Sequence, residues 1–219
     1  MVAQVLERAK QRGLIQSYHE QGSRERFDFS VIVDAERRCR VALEVKGGEG
    51  NSINISERPH WADEFIVWSH LDGAVVNQPR QGAHAIIFNR LSNEIVRRGK
   101  RVDALLIRDR LCGSRMRPCP KFPEGPKGEL GVAPCVFLFP TSIPSLREPE
   151  PPVHTLATLK LPRVILQAFD VPESDFDKHL YTVRIAVFTD SKGRIRRRTS
   201  VFRMGELLEQ TVARGDARR

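Results

Sequence analysis

The chain has 219 residues, 40% of them hydrophobic, and carries a formal net charge of +9. That length suits one large domain, or one core with an appended lobe, and leaves ample residues for a buried core. No apolar run approaches a transmembrane span and no signal-peptide core follows Met1, so a cytoplasmic protein is expected, its basic balance favouring an anionic partner such as nucleic acid or a membrane surface.

In chain order, Val2, Val5, Leu6 and Ala9 share one face of a short amphipathic helix that runs to about Arg12 and stops at Gly13. Leu14–Tyr18 gives a weak strand signal. Phe27–Val33 and Cys39–Lys46 read as two strands joined by the polar segment Asp34–Arg38. With Val33 opposite Cys39, the same register sets Asp28 opposite Glu44, and the period of two puts Lys46 on the face of Glu44. Two carboxylates and an ammonium then converge at one end of a mostly apolar hairpin. Burying that group is costly without a purpose, and a divalent cation is the simplest one. A solvated edge hairpin with cross-strand Glu–Lys pairs accounts for the same charges.

The stretch after Lys46, GGEGNSINISERP, is either a plain connection or a loop whose Gly47, Gly48 and Gly50 amides approach a phosphate. From Pro59 the spacing of Trp61, Phe65, Trp68 and Leu71 predicts a helix ending at Asp72-Gly73. A second helix is expected from Ala83 to Arg98, then a buried strand over Val102–Ile107.

Leu111–Gly131 is rich in proline and glycine and reads as loop, with Arg115 and Arg117 among its cations. Val136–Phe139 is an expected strand, and Pro140–Val153 a linker or wrapping arm. Pro162 argues against one unbroken helix over Leu156–Phe169. Tyr181–Thr189 and Arg194–Phe202 form a hairpin around Asp190–Gly193. Lys192, Arg194, Arg196 and Arg198 make it strongly basic, either as a phosphate-contacting ribbon or as an edge that deters aggregation. Met204–Ala213 is expected as a closing helix.

The four cysteines, Cys39, Cys112, Cys119 and Cys135, are irregularly spaced and read as free thiols. A zinc site from Cys112, Cys119, Cys135 and a histidine is the alternative. No Walker loop or dinucleotide fingerprint occurs.

The pattern Asp28-x15-Glu44-x-Lys46 resembles the PD-(D/E)XK nuclease superfamily, with Phe27 where that motif usually has proline. The resemblance spans the first helix to about Asp109. It implies an α-β-β-β-α-β core, magnesium (or manganese) on Asp28, Glu44 and the Val45 carbonyl, and Lys46 orienting the attacking water. An additional acidic group from the first helix makes Glu7 a candidate.

The expected fold is α/β: a restriction-endonuclease-like core over residues 1–110, a central mixed sheet flanked by helices, with residues 111–219 a β-rich extension on it. The expected function is a metal-dependent DNA endonuclease most like a small type II restriction enzyme, acting as a homodimer on double-stranded DNA with no membrane partner. Arg115, Arg117, Lys192, Arg194, Arg196 and Arg198 are its expected DNA contacts. A structure-specific repair or mobile-element nuclease, and a non-catalytic DNA-binding protein on the same fold, are the alternatives.

Overall fold

The computed structural model describes residues 2–22, 26–34, 39–46, 55–71, 82–109 and 133–214. Helix α1 (Val2–Gln11) is followed by strands β1 (Ser17–Glu20), β2 (Phe29–Asp34), β3 (Cys39–Lys46) and β4 (Glu64–Leu71). Helix α2 (Gly82–Arg98), β5 (Ala104–Asp109) and β6 (Cys135–Leu138) come next, then α3 (Leu161–Ala168) and a 3-10 helix (Glu173–His179). Strands β7 (Leu180–Thr189), β8 (Ile195–Arg203) and β9 (Glu206–Arg214) complete the chain. The protein is α/β, and its nine described strands form one mixed sheet whose spatial order follows the chain. No described helix is long and apolar enough to cross a membrane.

Strands β1 to β3 pair antiparallel, β3 to β5 parallel, β5 with β6 antiparallel, β6 with β7 parallel, and β7 to β9 antiparallel. Parallel neighbours need crossovers, and crossovers within one sheet are almost always right-handed. The β3–β4 and β4–β5 connections advance across the sheet with their strands pointing the same way, so both fall on one face. Strand β6 points the other way, which sends the β6–β7 connection and its α3 to the opposite face. The cores agree. Ile55, Ala62, Phe88 and Leu91 pack with Ala42, Phe65, Val67 and Leu105. Val5 and Leu6 of α1 and Val164 and Ile165 of α3 pack with Val31, Leu43, Ile66 and Leu106.

Two expected helices are strands. Phe65, Ile66, Val67 and Trp68 are all 0% exposed in β4, with Phe65 and Val67 on the α2 face and Ile66 and Trp68 on the other. A strand buried on both faces reads as an unbroken apolar run, and such a run also fits a helical stripe. The other correction is Met204–Ala213. Met204 (φ 48) and Gly205 (φ 82) both adopt left-handed backbone between the paired residues Arg203 and Glu206. Two such residues make a two-residue hairpin turn, which lays β9 along β8. A ten-residue helix has little intrinsic stability against that ladder.

Pro162 lies in the first turn of α3, where its missing N–H costs nothing. Strands β6 to β9 continue the sheet of β1 to β5, and Tyr181, Val183 and Ile185 share a core with Phe88 and Leu91. The Pro140–Val153 arm is bridged at its two ends and hydrogen-bonds β7 through the Val187 N–H and the Pro149 carbonyl at 2.9 Å.

Asp103, just before β5, ties these parts together. Its carboxylate is 0% exposed and accepts the Phe65 N–H at 2.7 Å, Arg101 Nε at 2.8 Å and Arg58 Nη1 at 3.2 Å. His154 Nε2 lies 3.2 Å away on the arm after β6. Burial alone raises the Asp103 carboxyl, but His154, Arg58, the Phe65 amide and Arg101 together hold it below the ordinary carboxylate value. A depressed folded-state pKa contributes stability above the unfolded value of ~3.9, and that stability is lost as pH falls through the folded value. Asp103→Asn leaves Arg58, only 17% exposed, without its buried counter-charge. Urea unfolding at pH 7 should show a loss of ~3–5 kcal/mol, shrinking as the pH is lowered below ~3.9. Equal stability of variant and wild type at pH 7 would refute the role given to this carboxylate.

Candidate active site

Strand pairing brings the hairpin residues to one place. Phe29 stands opposite Leu43 and Ser30 opposite Ala42, and Asp28, just before them, is not among the paired residues. The Asp28 N–H donates to the Leu43 carbonyl at 3.0 Å. At the far end a bulge between Ile32 and Asp34 pairs Cys39 with Asp34, where the sequence register has Val33. The bulge absorbs one residue beside the turn, and the pairing from Phe29 to Ile32 keeps the sequence register.

Glu44 shares the α2 face of the sheet with Ala42, near the carboxyl end of β3, where ligands gather in open α/β sheets. It is 2% exposed. Its Oε1 accepts Lys46 Nζ at 2.5 Å and Ser56 Oγ at 3.1 Å, and its Oε2 accepts the Ser56 N–H at 3.0 Å. Asp28 is exposed, and its Oδ2 accepts the Val45 N–H at 2.6 Å. The Lys46 side chain is one-third exposed, so the buried Glu44 opens to solvent past it.

Ser56 is placed by its neighbour. Ile55 is buried in the α2-face core, and its carbonyl accepts Lys100 Nζ at 2.5 Å. The β3–β4 crossover is thereby pinned over Glu44. Sequence reading misses Ser56 because its segment looks like a plain polar connection, and only the parallel pairing of β3 with β4 sends it across this face.

Asp28, bonded to the Val45 amide, and Glu44 offer hard oxygen donors about the end of β3, the chemistry that suits magnesium or manganese. Magnesium commonly takes one or two protein carboxylates and keeps several waters. Asp28 Oδ1 has no hydrogen-bond partner among the described residues, and Glu44 shares Oε1 with Lys46. In donor chemistry the two carboxylates suit such an ion. Among the described residues no group of three or more His, Cys, Asp or Glu side chains is arranged to hold one.

The remaining candidates are not brought to this place. Glu7 on α1 accepts Tyr18 Oη and Gln11 Nε2, both at 3.1 Å, and α1 packs on the face opposite Glu44. Arg194 Nε and Arg196 Nε both donate to Asp190 Oδ2, at 3.1 and 2.9 Å, and Arg198 Nη2 lies 3.6 Å from Glu150. Hydrogen bonds from the Arg194 amide, then from Arg196, hold the Asp190 carboxyl well below the usual carboxylate range. Pairing from β3 through to β8 puts Arg196 and Arg198 on the face opposite Glu44. Lys192 is exposed in the turn. Gly47, Gly48, Gly50, Cys112, Arg115, Arg117 and Cys119 lie outside the described residues. Cys39 and Cys135 are buried, and burial beside Glu64 pushes the Cys39 thiol up to about 12.

Because Glu44 is buried and bonded, the site is part of the fold's stability. Glu44→Ala strands Lys46 and the Ser56 amide and should cost ~1–3 kcal/mol in thermal or urea unfolding. Glu44→Gln keeps an acceptor for Ser56 and should cost less. If both variants unfold with wild type, Glu44 is not the anchor of this segment.

Comparison with known proteins adds no relative: no family model, curated protein or solved structure matches the chain.

Proposed function

We propose that the protein is a magnesium-dependent DNA endonuclease with a restriction-endonuclease-like core, most like a small type II restriction enzyme. The observation that carries this reading is the gathering of exposed Asp28, bonded to the Val45 amide, with buried Glu44 and half-open Lys46 about the carboxyl end of β3. The element order also supports it. Helix α1, strands β1 to β3, α2 and β5 follow the α-β-β-β-α-β succession, with β4 inserted before α2. The formal charge of +9 suits a polyanionic substrate.

In this reading Asp28 and Glu44 hold the metal, with the Val45 carbonyl available at the same strand end. The metal, when bound, supplies Lewis-acid stabilisation of the phosphate oxygens and a more acidic water. The Val45 amide fixes the Asp28 carboxylate, and the two Ser56 donors fix that of Glu44. Lys46 Nζ, released from Glu44 Oε1, donates to the attacking water or to the charge developing on the scissile phosphate. Attack of water on phosphorus expels the 3′ oxygen and leaves a 5′-phosphate.

Purified protein mixed with plasmid and magnesium should cleave it, and EDTA should stop the cleavage. Asp28→Asn, Glu44→Gln and Lys46→Met should each abolish cutting with circular dichroism unchanged. Discrete fragments favour a sequence-specific enzyme, and cutting confined to branched or nicked substrates a structure-specific one. A second reading draws on the saturation of Glu44 by Ser56 and Lys46: a structural ion pair in a non-catalytic DNA-binding protein. Tight DNA binding with no cleavage in magnesium or manganese would establish that reading instead.

The basic hairpin and the assembly state have their own tests. Replacing Arg194, Arg196 and Arg198 together by Ala should lower the slope of log affinity against log salt by up to ~2.7. The bonds to Asp190 and Glu150 pull the change below that ceiling, and an unchanged slope makes the three arginines surface charges only. Cutting both strands of a symmetric site most simply needs two subunits about a two-fold axis. Sedimentation of the protein on cognate duplex should show a homodimer, and a one-to-one complex that still breaks both strands rules it out.

A further inference from the structure

A groove of about 360 Å³ lies next to Asp28, lined among others by His19, Gln21, Phe27, Ser30, Arg40 and Trp61. The pairing of His19 with Ser30, of Ser30 with Ala42 and of Ile32 with Arg40 sets the first, fourth and fifth of these on the face that carries Glu44. Ser30 follows Asp28 by two residues, ~6.8 Å along the strand. Gln21 is tied to the same point, its N–H donating to the Asp28 carbonyl at 2.8 Å.

The lining combines three chemistries. Trp61 is half-buried and set nearly edge-on against Phe27, with ring centroids 5.3 Å apart and planes at 67°. Phe27 is itself buried, so the indole is a rigid aromatic wall at the groove. On the floor, Gln21 Nε2 donates to Ser30 Oγ at 2.9 Å, leaving the Gln21 carbonyl as an acceptor and the Ser30 hydroxyl as a donor. The exposed His19 ring adds a group of either sense. At the mouth, the Arg40 side chain is half exposed and only loosely held by Asp63, at 3.9 Å.

We infer that this groove binds one unstacked nucleobase of the strand whose phosphate lies at Asp28, Glu44 and Lys46, with Arg40 on the neighbouring phosphate. The inference rests on the nuclease reading for what occupies the adjacent carboxylates, and not for base binding itself. An aromatic wall accepts the π-face of any base, and the polar floor meets its edge. The volume is at the low end of small-ligand sites and large enough for a base. A purely apolar ligand would strand the Ser30, Gln21 and His19 groups, which argues against a lipid or hydrocarbon. The enzyme thus engages DNA with at least one base out of the stack beside the cut.

Fluorescence offers a direct test, because the chain has two tryptophans and Trp68 is 0% exposed. The full-length protein is titrated in EDTA with a short single-stranded oligodeoxynucleotide and, separately, with a blunt duplex hairpin. Single strand should quench the tryptophan emission saturably, the blunt duplex should not, and Trp61→Phe should remove the quenching. In a polarisation assay with labelled oligonucleotide, Trp61→Leu should bind ~5- to 150-fold more weakly, the loss of one stacked base. Trp61→Phe, which keeps a ring against Phe27, should retain most of the affinity, and Arg40→Gln should reduce its salt dependence. Unchanged affinity in folded Trp61→Leu, or equal quenching by single strand and duplex, overturns the base site. Cleavage in magnesium with Trp61-independent binding removes this site alone. Trp61-dependent binding without cleavage in magnesium keeps the site and removes the nuclease reading.

Discussion

A parallel strand pair cannot be closed by a tight turn, and β3 with β4 is such a pair. The chain must leave β3 at Lys46, cross one face of the sheet and re-enter at Glu64. Handedness selects the face, and it is the one onto which Glu44 and Lys46 point. The crossover therefore seats Ser56 on the Glu44 carboxylate and Trp61 against Phe27, and its Arg58 reaches Asp103. Site geometry, groove and the main buried charge pair all follow from that one connection.

Three buried carboxylates around this crossover show how environment assigns roles. Asp103 is closed on all sides by arginines, a backbone amide and His154. Glu64 receives the Lys160 and Leu161 amides at 2.6 and 3.1 Å, closing the start of α3, while burial pushes its carboxyl up. Both serve the fold. Glu44 differs in its company: its lysine is partly open to solvent, and Asp28, bonded to the next residue's amide, is exposed. Desolvation makes all three costly, but only Glu44 stands where a further ligand can arrive.

The cations are also divided by the sheet. Arg184 stacks over Phe202 at 4.8 Å and Arg198 over Phe188 at 5.8 Å, on the face of β7 and β8 away from α2. Rings under the guanidinium groups leave the charge available while burying apolar surface. Five strand steps separate β3 from β8, and a twist of ~20–25° per step turns the two regions by on the order of 100°. Basic hairpin and candidate site are thus separate surfaces of one twisted sheet.

What the sequence by itself determined is local. Alternation within Phe29–Asp34 and Cys39–Lys46 marks both strands and sets Phe29 against Leu43, because a one-residue slip would turn every apolar side chain outward. The amphipathic spacing of Val2, Val5, Leu6 and Ala9 likewise marks α1 without help from the rest. Tertiary structure alone decided the state of Glu64–Leu71, whose apolar run suits helix and strand equally until neighbours on both edges make it a strand. It also decided the state of Glu206–Arg214, which the open edge of β8 recruits through the Met204-Gly205 turn. The same holds for Ser56 and for the face on which Arg196 and Arg198 lie. Side-chain parity within one strand is a local property, but parity between β3 and β8 exists only once every intervening strand has paired.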